Sequence, residues 1–294
     1  MKNSLFLSFS LLLSCFTCLQ AQDLEDLMEK ETKDETPDIV ENTFKTTRLI
    51  NGHSTENNAA GELDVKFGHR FGRLNEGAYN LFGLDNAFVR LALEYGLFED
   101  LTIGFGRTSF NKTFDGFGKY RILKQNTDNS MPLSLSYFAS VALNSQRWTE
   151  PERDNLFSSR LFYTHQLLIA RKFNSNLSLQ LMPTLVHRNL VETRDDANTV
   201  FSMGGGGRYK ITPSTSINIE YYYLLPDQFS NERISNALSV GFDIETGGHV
   251  FQLFVSNSRG MIEKDFITET TGNWEDGDLH FGFNISRVFQ LKKN

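Results

Sequence analysis

The stretch MPLSLSYFASVALN, residues 131–144, decides the fold class because apolar and polar side chains alternate along it. Its apolar residues include Leu133, Leu135, Tyr137, Ala139, Val141 and Leu143, and between them stand Ser134, Ser136, Ser140 and Asn144. Successive side chains of a β-strand point to opposite faces. The stretch therefore predicts a strand with one apolar face and one polar face.

The same period of two recurs from about residue 62 onward and predicts about twelve strands. Most of them have ten or more residues, whereas strands of globular sheets usually have about 5–6. Ten residues tilted by about 40° rise roughly 25 Å, the height of the apolar band of an outer-membrane barrel. The predicted strands are 62–72, 86–98, 101–110, 114–124, 131–144, 157–173, 177–190, 199–211, 215–225, 235–246, 248–258 and 278–291.

The connections between these strands alternate in length. Tight ones fall at 99–100, 174–176, 213–214 and 247, and longer ones fall at 73–85, 145–156, 191–198, 226–234 and 259–277. Short periplasmic turns and long outer loops are typical of outer-membrane barrels. We therefore predict an all-β fold, a closed antiparallel up-and-down transmembrane β-barrel of about twelve strands over residues 62–292, with both ends on the periplasmic side.

A soluble β-sandwich or a lipocalin-like barrel is the structural alternative, because alternation does not say which face is inside. Three features favour the membrane: the strands are long, the polar face is rich in Gly, Ser and charges of both signs, and aromatic residues cluster near strand ends. The predicted location is the outer membrane of a Gram-negative-type bacterium.

Residues 1–21 have the pattern of a secretory signal peptide. Lys2 precedes the apolar run Leu5–Leu13, and a cleavage site follows Ala21. Lipoprotein processing at Cys15, or less favourably at Cys18, is the alternative. Both cysteines precede Ala21, so the mature chain is expected to contain no disulfide and no cysteine-ligated metal.

Residues 22–42 form an acidic leader. Nine acidic and two basic side chains lie between Gln22 and Glu41, which favours a disordered or loosely helical periplasmic segment. The alternative is a docking tail for a periplasmic protein. No basic patch suggests nucleic-acid binding, and the composition lacks the repeated apolar runs of a polytopic helical membrane protein.

Several motifs resemble those of an uncharacterised bacterial family described only as a membrane-bound β-barrel domain of unknown function. They lie within residues 43–124 and comprise Thr43-Phe44-Lys45-Thr46-Thr47-Arg48-Leu49-Ile50-Asn51-Gly52-His53-Ser54, His69-Arg70-Phe71-Gly72, Asn80-Leu81-Phe82-Gly83-Leu84-Asp85, Gly104-Phe105-Gly106-Arg107 and Thr113-Phe114-Asp115-Gly116. The resemblance implies a barrel in a membrane and implies no activity, substrate or catalytic residue.

Charged residues of both signs are expected to point into the barrel. They form either a charged constriction that selects solutes or a set of ion pairs that fills a modest interior. The mixture of signs favours the second interpretation. The candidates are Asp64, Lys66, Arg70, Arg90, Glu94, Lys119, Arg121, Arg208, Lys210, Glu220, Asp243 and Glu245, which Asp115 could join.

Residues 43–61 are expected to form a plug inside the barrel or a segment on its periplasmic rim. Arg48, Asn51 and His53 are the plug candidates that would meet the interior charges. The apolar loop 74–85 either folds inward as a cap or lies at the outer membrane interface.

Enzyme motifs are absent from the sequence: none of the six histidines is followed two positions later by Ser, and neither Gly-x-Ser-x-Gly nor His-Glu-x-x-His occurs. The run 204–207 of four glycines lacks the Gly-Lys-Ser/Thr of a phosphate loop and suits a bend in a strand. No catalytic residue, metal or cofactor is predicted.

The leading functional hypothesis is a non-enzymatic channel or transport component for small polar solutes, in contact with outer-membrane lipid. The second hypothesis is a structural or adaptor barrel with a closed lumen that binds a periplasmic protein through residues 22–58. The third, less favoured, is a lipid-modifying enzyme of the outer membrane.

Overall fold

The computed structural model describes residues 38–230 and 233–292. The signal peptide, the alternative processing sites and the acidic leader as far as residue 37 lie outside the described residues.

Twelve antiparallel strands form one closed sheet, in which every strand pairs with its neighbours in the sequence and β1 pairs with β12. At the closing seam Leu63 lies opposite Phe289 and Phe67 lies opposite Ile285. The predicted fold class is therefore confirmed. The strands are β1 Glu62–Arg73, β2 Ala87–Phe98, β3 Leu101–Thr108, β4 Thr113–Leu123, β5 Ser134–Asn144, β6 Leu161–Lys172, β7 Leu177–Arg188, β8 Thr199–Thr212, β9 Thr215–Leu224, β10 Ala237–Thr246, β11 His249–Ser256 and β12 His280–Gln290.

The two ends of the barrel differ in their connections. At one end, which we call the turn end, residues 99–100, 173–176, 213–214 and 247–248 make tight turns. The connection 124–133 at the same end is longer than predicted. The opposite end, which we call the loop end, carries the connections 74–86, 109–112, 145–160, 189–198, 225–236 and 257–279.

Both described termini of the barrel lie at the turn end, where the amide of Leu291 donates to the carbonyl of Gly61 at 3.0 Å. An even number of strands requires this arrangement, because every second crossing returns the chain to the end from which it started.

The outer wall is apolar and exposed. Leu91 is 60% exposed, Phe105 57% and Leu181 56%. The charged residues with which they alternate, such as Glu94 on β2, are buried inside. This arrangement is the reverse of a soluble barrel, so the sandwich and lipocalin alternatives are excluded.

Helical structure within residues 38–230 and 233–292 is short. The α-helix Glu263–Thr268, which we call α1, lies in the last loop, and 3₁₀ segments occupy Leu74–Glu76, Ala78–Gly83, Phe110–Lys112 and Phe157–Arg160. None of the described helices has the length and apolar character needed to cross a membrane.

Two segments enter the barrel from opposite ends and fill it. Residues 43–58, which we call the inner segment, enter from the turn end, and residues 257–272, which we call the inward loop, enter from the loop end with α1. Phe44 and Leu49 of the inner segment join one buried cluster with Phe266 of α1 and with Phe138 and Tyr222 of the wall. The barrel therefore has a packed interior.

The loop 74–85 does not fold inward. Tyr79 is 97% exposed and Leu81 and Phe82 are each 53% exposed. Of the two alternatives for this loop, the structure favours an apolar surface outside the barrel.

Candidate functional site: the barrel interior

The inner segment folds into a hairpin-like turn inside the barrel. The amide of Leu49 donates to the carbonyl of Gly52 at 2.9 Å, and the amide of Ser54 donates to the carbonyl of Thr47 at 3.0 Å. Asn-Gly at positions 51 and 52 is a typical turn sequence. The turn points its backbone amides at the barrel wall.

Glu220 of β9 receives these amides. Its carboxylate accepts from the backbone N–H groups of Ile50 at 3.2 Å, Asn51 at 2.8 Å and Gly52 at 3.2 Å. Three backbone donors compensate a buried carboxylate for the water it loses. The arrangement also needs glycine, because a Cβ on Gly52 would lie 1.9 Å from the Tyr222 hydroxyl oxygen.

The side chain of Asn51 connects two distant parts of the wall. Its Nδ2 donates to Ser239 Oγ on β10 at 2.9 Å, and its Oδ1 accepts from Arg70 Nη2 on β1 at 2.7 Å. The turn is therefore held from three strands at once.

Polar wall residues bind further backbone groups of the inner segment. Gln180 on β7 accepts from the Thr55 amide at 3.0 Å and donates to the His53 carbonyl at 2.8 Å. Gln252 and Asn284, on β11 and β12, donate to the carbonyls of Leu49 and Ile50 at 2.8 and 2.9 Å.

Lys119 of β4 is committed to the same segment. Its buried ammonium donates to the carbonyls of Ser54 at 2.9 Å and Thr47 at 3.3 Å, and also to the carbonyl of Glu56. The ammonium thus replaces its water shell with backbone oxygens of the inner segment.

Arg48 links the inner segment to both β2 and the inward loop. Its Nε lies 3.4 Å from Glu94 Oε1, and its Nη1 lies 3.9 Å from Glu263 Oε1 on α1. His53 Nε2 lies 4.0 Å from the same oxygen of Glu263. The segments that enter from opposite ends therefore meet at Glu263.

Burial shifts the protonation of the groups at this meeting point. Burial raises the pKa of Glu263 to about 7, although the Arg48 guanidinium opposes the shift. Burial, together with the positive charge of Arg48, lowers the pKa of His53 well below its ordinary value. His53 is therefore neutral, packed between the rings of Phe117 and Phe138 at centroid distances of 4.5 and 4.3 Å.

The structure brings most of the charged candidates together in the interior. Several are ion-paired there: Lys66 with Asp64 at 2.7 Å and Arg90 with Asp115 at 2.5 Å. This arrangement agrees with the interpretation of ion pairs that fill a modest interior. The buried candidates are Asp64, Lys66, Arg70, Arg90, Glu94, Asp115, Lys119, Glu220 and Asp243, with Arg48, Asn51 and His53 of the inner segment.

Four candidates lie toward the turn end and are only partly buried. Arg121 lies 3.7 Å from Asp100, Arg208 donates to Ser216 Oγ at 3.0 Å, and Glu245 is 2.6 Å from Lys45. Lys210 lies opposite Ser216 near the end of β8. These residues form the mouth of the barrel at that end.

Sequence reasoning missed the charges of α1. Glu263, Lys264 and Asp265 are all buried, and the Lys264 ammonium lies 3.0 Å from Asp265 and 2.5 Å from Glu269. A charged tripeptide in a long loop predicts a solvated loop. Its apolar flanks, Met261-Ile262 and Phe266-Ile267, were the sequence feature that could have indicated burial.

The space left inside is small. A cavity of about 30 Å³ lies beside Arg48, Asn51 and Lys66, room for one or two water molecules. A wider recess of about 520 Å³ lies at the loop end, where it is lined by Phe162, Arg188 and Glu269. Residues 38–230 and 233–292 contain no group of three His, Cys, Asp or Glu residues that could hold a metal ion.

Comparison with known proteins gives a family and an architecture. The sequence model of a family described as "Membrane bound beta barrel domain (DUF5777)" matches residues 44–289. No curated protein matches the chain.

Among solved structures, the NanC porin is 10% identical over 79% of this chain and 100% of that chain, with a TM-score of 0.48. The KdgM porin is 10% identical over 78% and 99%, with a TM-score of 0.47. The COG4313 outer membrane channel from Pseudomonas putida F1 is 14% identical over 84% and 100%, with a TM-score of 0.48. These TM-scores are all below 0.5, so the three similarities add no evidence about function beyond the barrel architecture described above.

Proposed function

Because the chain belongs to this family of membrane-bound β-barrel domains, we propose that it is a non-enzymatic outer-membrane channel for small polar solutes that the inner segment closes at rest. In this proposal a signal peptide ends at residue 21, the acidic leader 22–42 lies in the periplasm, and residues 43–61 act as the plug. The apolar wall contacts outer-membrane lipid.

The observation that best supports this proposal is that the contact between the inner segment and the wall is polar. Glu220, Gln180, Gln252, Asn284 and Lys119 hold it through hydrogen bonds to its backbone. Water can take over such bonds, each of which contributes about 0.5–1.5 kcal/mol net. Departure of the segment would leave a polar lining that suits hydrated solutes.

The dimensions of the barrel agree with this proposal. Barrels of about 8 strands are filled by their own side chains, whereas barrels of about 16–18 strands hold an aqueous channel. Twelve strands give an interior between these limits, wide enough to need a filling segment and narrow enough to be sealed by one.

A closed structural barrel is the second candidate, in which residues 22–58 bind a periplasmic protein. The buried apolar cluster with Phe44, Leu49 and Phe266 favours a permanent filling. The chain preceding the inner segment is fixed at the rim, where the Val40 amide donates to the Gln125 carbonyl at 2.8 Å and Lys172 Nζ donates to the Glu41 carbonyl at 2.7 Å.

Planar-bilayer recording tests the choice. We expect the mature chain to show low conductance with brief openings. A variant that lacks residues 43–58 and in which a short linker replaces residues 259–271 should conduct steadily, because both segments that fill the barrel are then absent. A variant with Asn51→Cys and Ser239→Cys should be silent when oxidised and recover on reduction, because the two side chains are in contact and the mature chain is expected to have no other cysteine.

The matched control is the pair Asn75→Cys and Asp278→Cys, which joins two side chains 2.8 Å apart at the loop end, away from the inner segment. Its oxidation should leave the conductance unchanged. A folded deletion variant that does not conduct would reject the channel and favour the closed structural barrel.

A further inference from the structure

A histidine on the lipid-facing wall has an unusual position. His165 lies four residues inside β6, and its side chain is exposed on the outer face. The Tyr137 hydroxyl bonds to its Nδ1 at 2.6 Å, while no described residue bonds to Nε2. Hydrocarbon offers no hydrogen bond to a free ring nitrogen, so a polar group at this depth calls for a partner.

A second histidine of the same wall has different surroundings. His69 of β1 is stacked on Phe283 at 5.1 Å and packed against Phe71 at 4.3 Å. Aromatic rings cover His69, whose buried Nδ1 has no hydrogen-bond partner. His165 is stacked on one ring only, that of Tyr137 at 6.1 Å, and it borders open space, so the adjoining groove is what distinguishes it.

That open space is a groove of about 290 Å³ in the outer wall. Most of its surface is apolar, and His165 with the Tyr137 hydroxyl supplies a polar point at one side. Its lining includes Tyr137, His165, Leu167, Pro183, Leu185 and Phe201.

Pro183 lies where the hydrogen-bonded ladder beneath the groove is interrupted. The β6–β7 pairing runs from Phe162–Arg188 to Gln166–Thr184 and resumes at Ile169–Leu181, so the two positions between them are unpaired. Proline has no N–H to donate to the ladder and is rare within a sheet interior. The register is the same on both sides of this interruption, and the groove lies over it on the outer face.

The outer surface is open beyond the groove, toward the turn end. Met203 of β8 lines it, and Gly205, two residues further on the same face, would have nothing within 4 Å of an added Cβ. A shallow apolar track with a polar point on one side has the shape of a single hydrocarbon chain with an oxygen group.

We propose that this groove is a binding site for one membrane lipid, whose acyl chain lies along Pro183 and Leu185 and whose carboxyl, ester or hydroxyl oxygen bonds to His165 Nε2. The occupant is a lipid because the groove lies on the apolar wall that faces the membrane, where a lipid oxygen is the partner at hand for His165 Nε2. The proposal does not depend on whether the interior conducts.

Photocrosslinking tests the site. The probe is palmitic acid with a mid-chain diazirine, added to the full barrel in detergent, with unlabelled palmitic acid as competitor. We expect labelling concentrated on the peptides that contain residues 163–167, 183–185 and 201–203. His165→Leu should reduce it about fivefold, the effect of losing one hydrogen bond.

Two further variants keep the test decisive. Leu185→Trp should abolish labelling by filling the groove while leaving His165 in place. His187→Leu is the matched control, since His187 lies on the same face of β7, bonds to Thr199 at 2.9 Å and does not line the groove. The labelling of each variant is compared only after electrophoresis of heated and unheated samples shows the shift in migration that indicates a folded barrel.

Two outcomes would overturn the proposal. Labelling spread evenly around the wall, or unchanged in both His165→Leu and Leu185→Trp, would show that the groove holds no specific lipid. Chemical crosslinks between two chains across β6 and β7 that His165→Leu abolishes would assign the groove to a second copy.

Discussion

The inner segment and the inward loop fill the same space but are held by different means. The inner segment depends on side chains of the wall: Glu220, Gln180 and Gln252 bind its backbone. The inward loop relies more on its own bonds, because Thr268 and Thr270 donate to its carbonyls of Lys264 and Phe266 at 2.6 and 2.7 Å. Its bonds to the rest of the chain, such as that from the Ser235 amide to the Thr270 carbonyl at 2.8 Å, lie at the loop end.

The inner segment is therefore held mainly by the barrel wall, whereas the inward loop is held mainly by hydrogen bonds within itself. A segment bound through wall side chains detaches when those side chains change, whereas a self-supporting loop keeps its shape and moves as a unit. We therefore expect wall substitutions to release the inner segment first, and substitutions in the inward loop to have smaller and more local effects.

Glu220→Leu should have the largest effect. It leaves three buried backbone N–H groups without an acceptor, and each unsatisfied group costs about 1–3 kcal/mol. Limited proteolysis should cut within residues 43–58 far faster than in the unchanged protein. Glu150→Leu, at an exposed position of the loop 145–160 far from the inner segment, is the control, and equal protection in the Glu220→Leu and Glu150→Leu variants would contradict the importance of the Glu220 contact.

Gly52→Ala should have the next largest effect. The added methyl group would lie 1.9 Å from the Tyr222 hydroxyl oxygen, so the turn must shift at a cost of about 1–3 kcal/mol. Proteolysis of the inner segment again provides the measurement. Gly205→Ala adds the same methyl group into open space and should leave protection as it was; a similar loss there would point to a general effect of the substitution.

The meeting point at Glu263 predicts a pH dependence. The pKa of Glu263 is raised to about 7 when the inward loop is seated, above its ordinary value of about 4.3. Below that ordinary value the carboxyl is neutral in both states and seating carries no penalty. As the pH rises from about 4.3 to 7 the carboxyl ionises only in the unseated state, so seating weakens progressively, by up to about 4 kcal/mol, and the loss levels off above pH 7.

The groups around Glu263 are Arg48 and His53 of the inner segment, Arg90 of β2 and Asp115 of β4. Openings in planar bilayers should therefore be more frequent at pH 8 than at pH 5, and Glu263→Gln should remove the difference. Asp265→Asn tests the neighbouring carboxyl. If the pH dependence of the opening frequency persists in Glu263→Gln and disappears in Asp265→Asn, then Asp265 and not Glu263 is the titrating group.

Asn111→Ala should have the smallest effect. Asn111 Nδ2 donates to Glu269 Oε2 at 2.6 Å at the edge of the inward loop, a partly exposed contact of about 1 kcal/mol. Hydrogen exchange should rise in residues 263–270 and stay unchanged in residues 43–58. Faster exchange in both residues 263–270 and residues 43–58 would show that the inward loop and the inner segment loosen together.

The period of two predicted the barrel because each strand faces lipid on one side and the filled interior on the other. Along β6, for example, Leu167 and Ile169 face outward while Thr164 and Gln166 are buried. This alternation can be recognised in one strand without knowing which strands pair with it. The signal peptide, its processing and most of the acidic leader stay predictions, because they lie outside the described residues.

The filling of the interior was harder to predict because its stabilisation is non-local. Glu263 and Lys264 look like residues of a solvated loop, and their burial depends on Arg48, more than 200 positions earlier, and on Asp265. Likewise Glu220 was predicted to face inward, but its role as an acceptor for the Asn51 turn depends on contacts between distant parts of the chain.

The pairing of the first strand with the last connects the closing seam to both fillings. The inner segment directly precedes β1 and the inward loop directly precedes β12, so each filling is covalently joined to one of the two strands that close the ring. During biogenesis the sheet can therefore be wrapped around its own contents, and the final zipping of β12 onto β1 traps them in place.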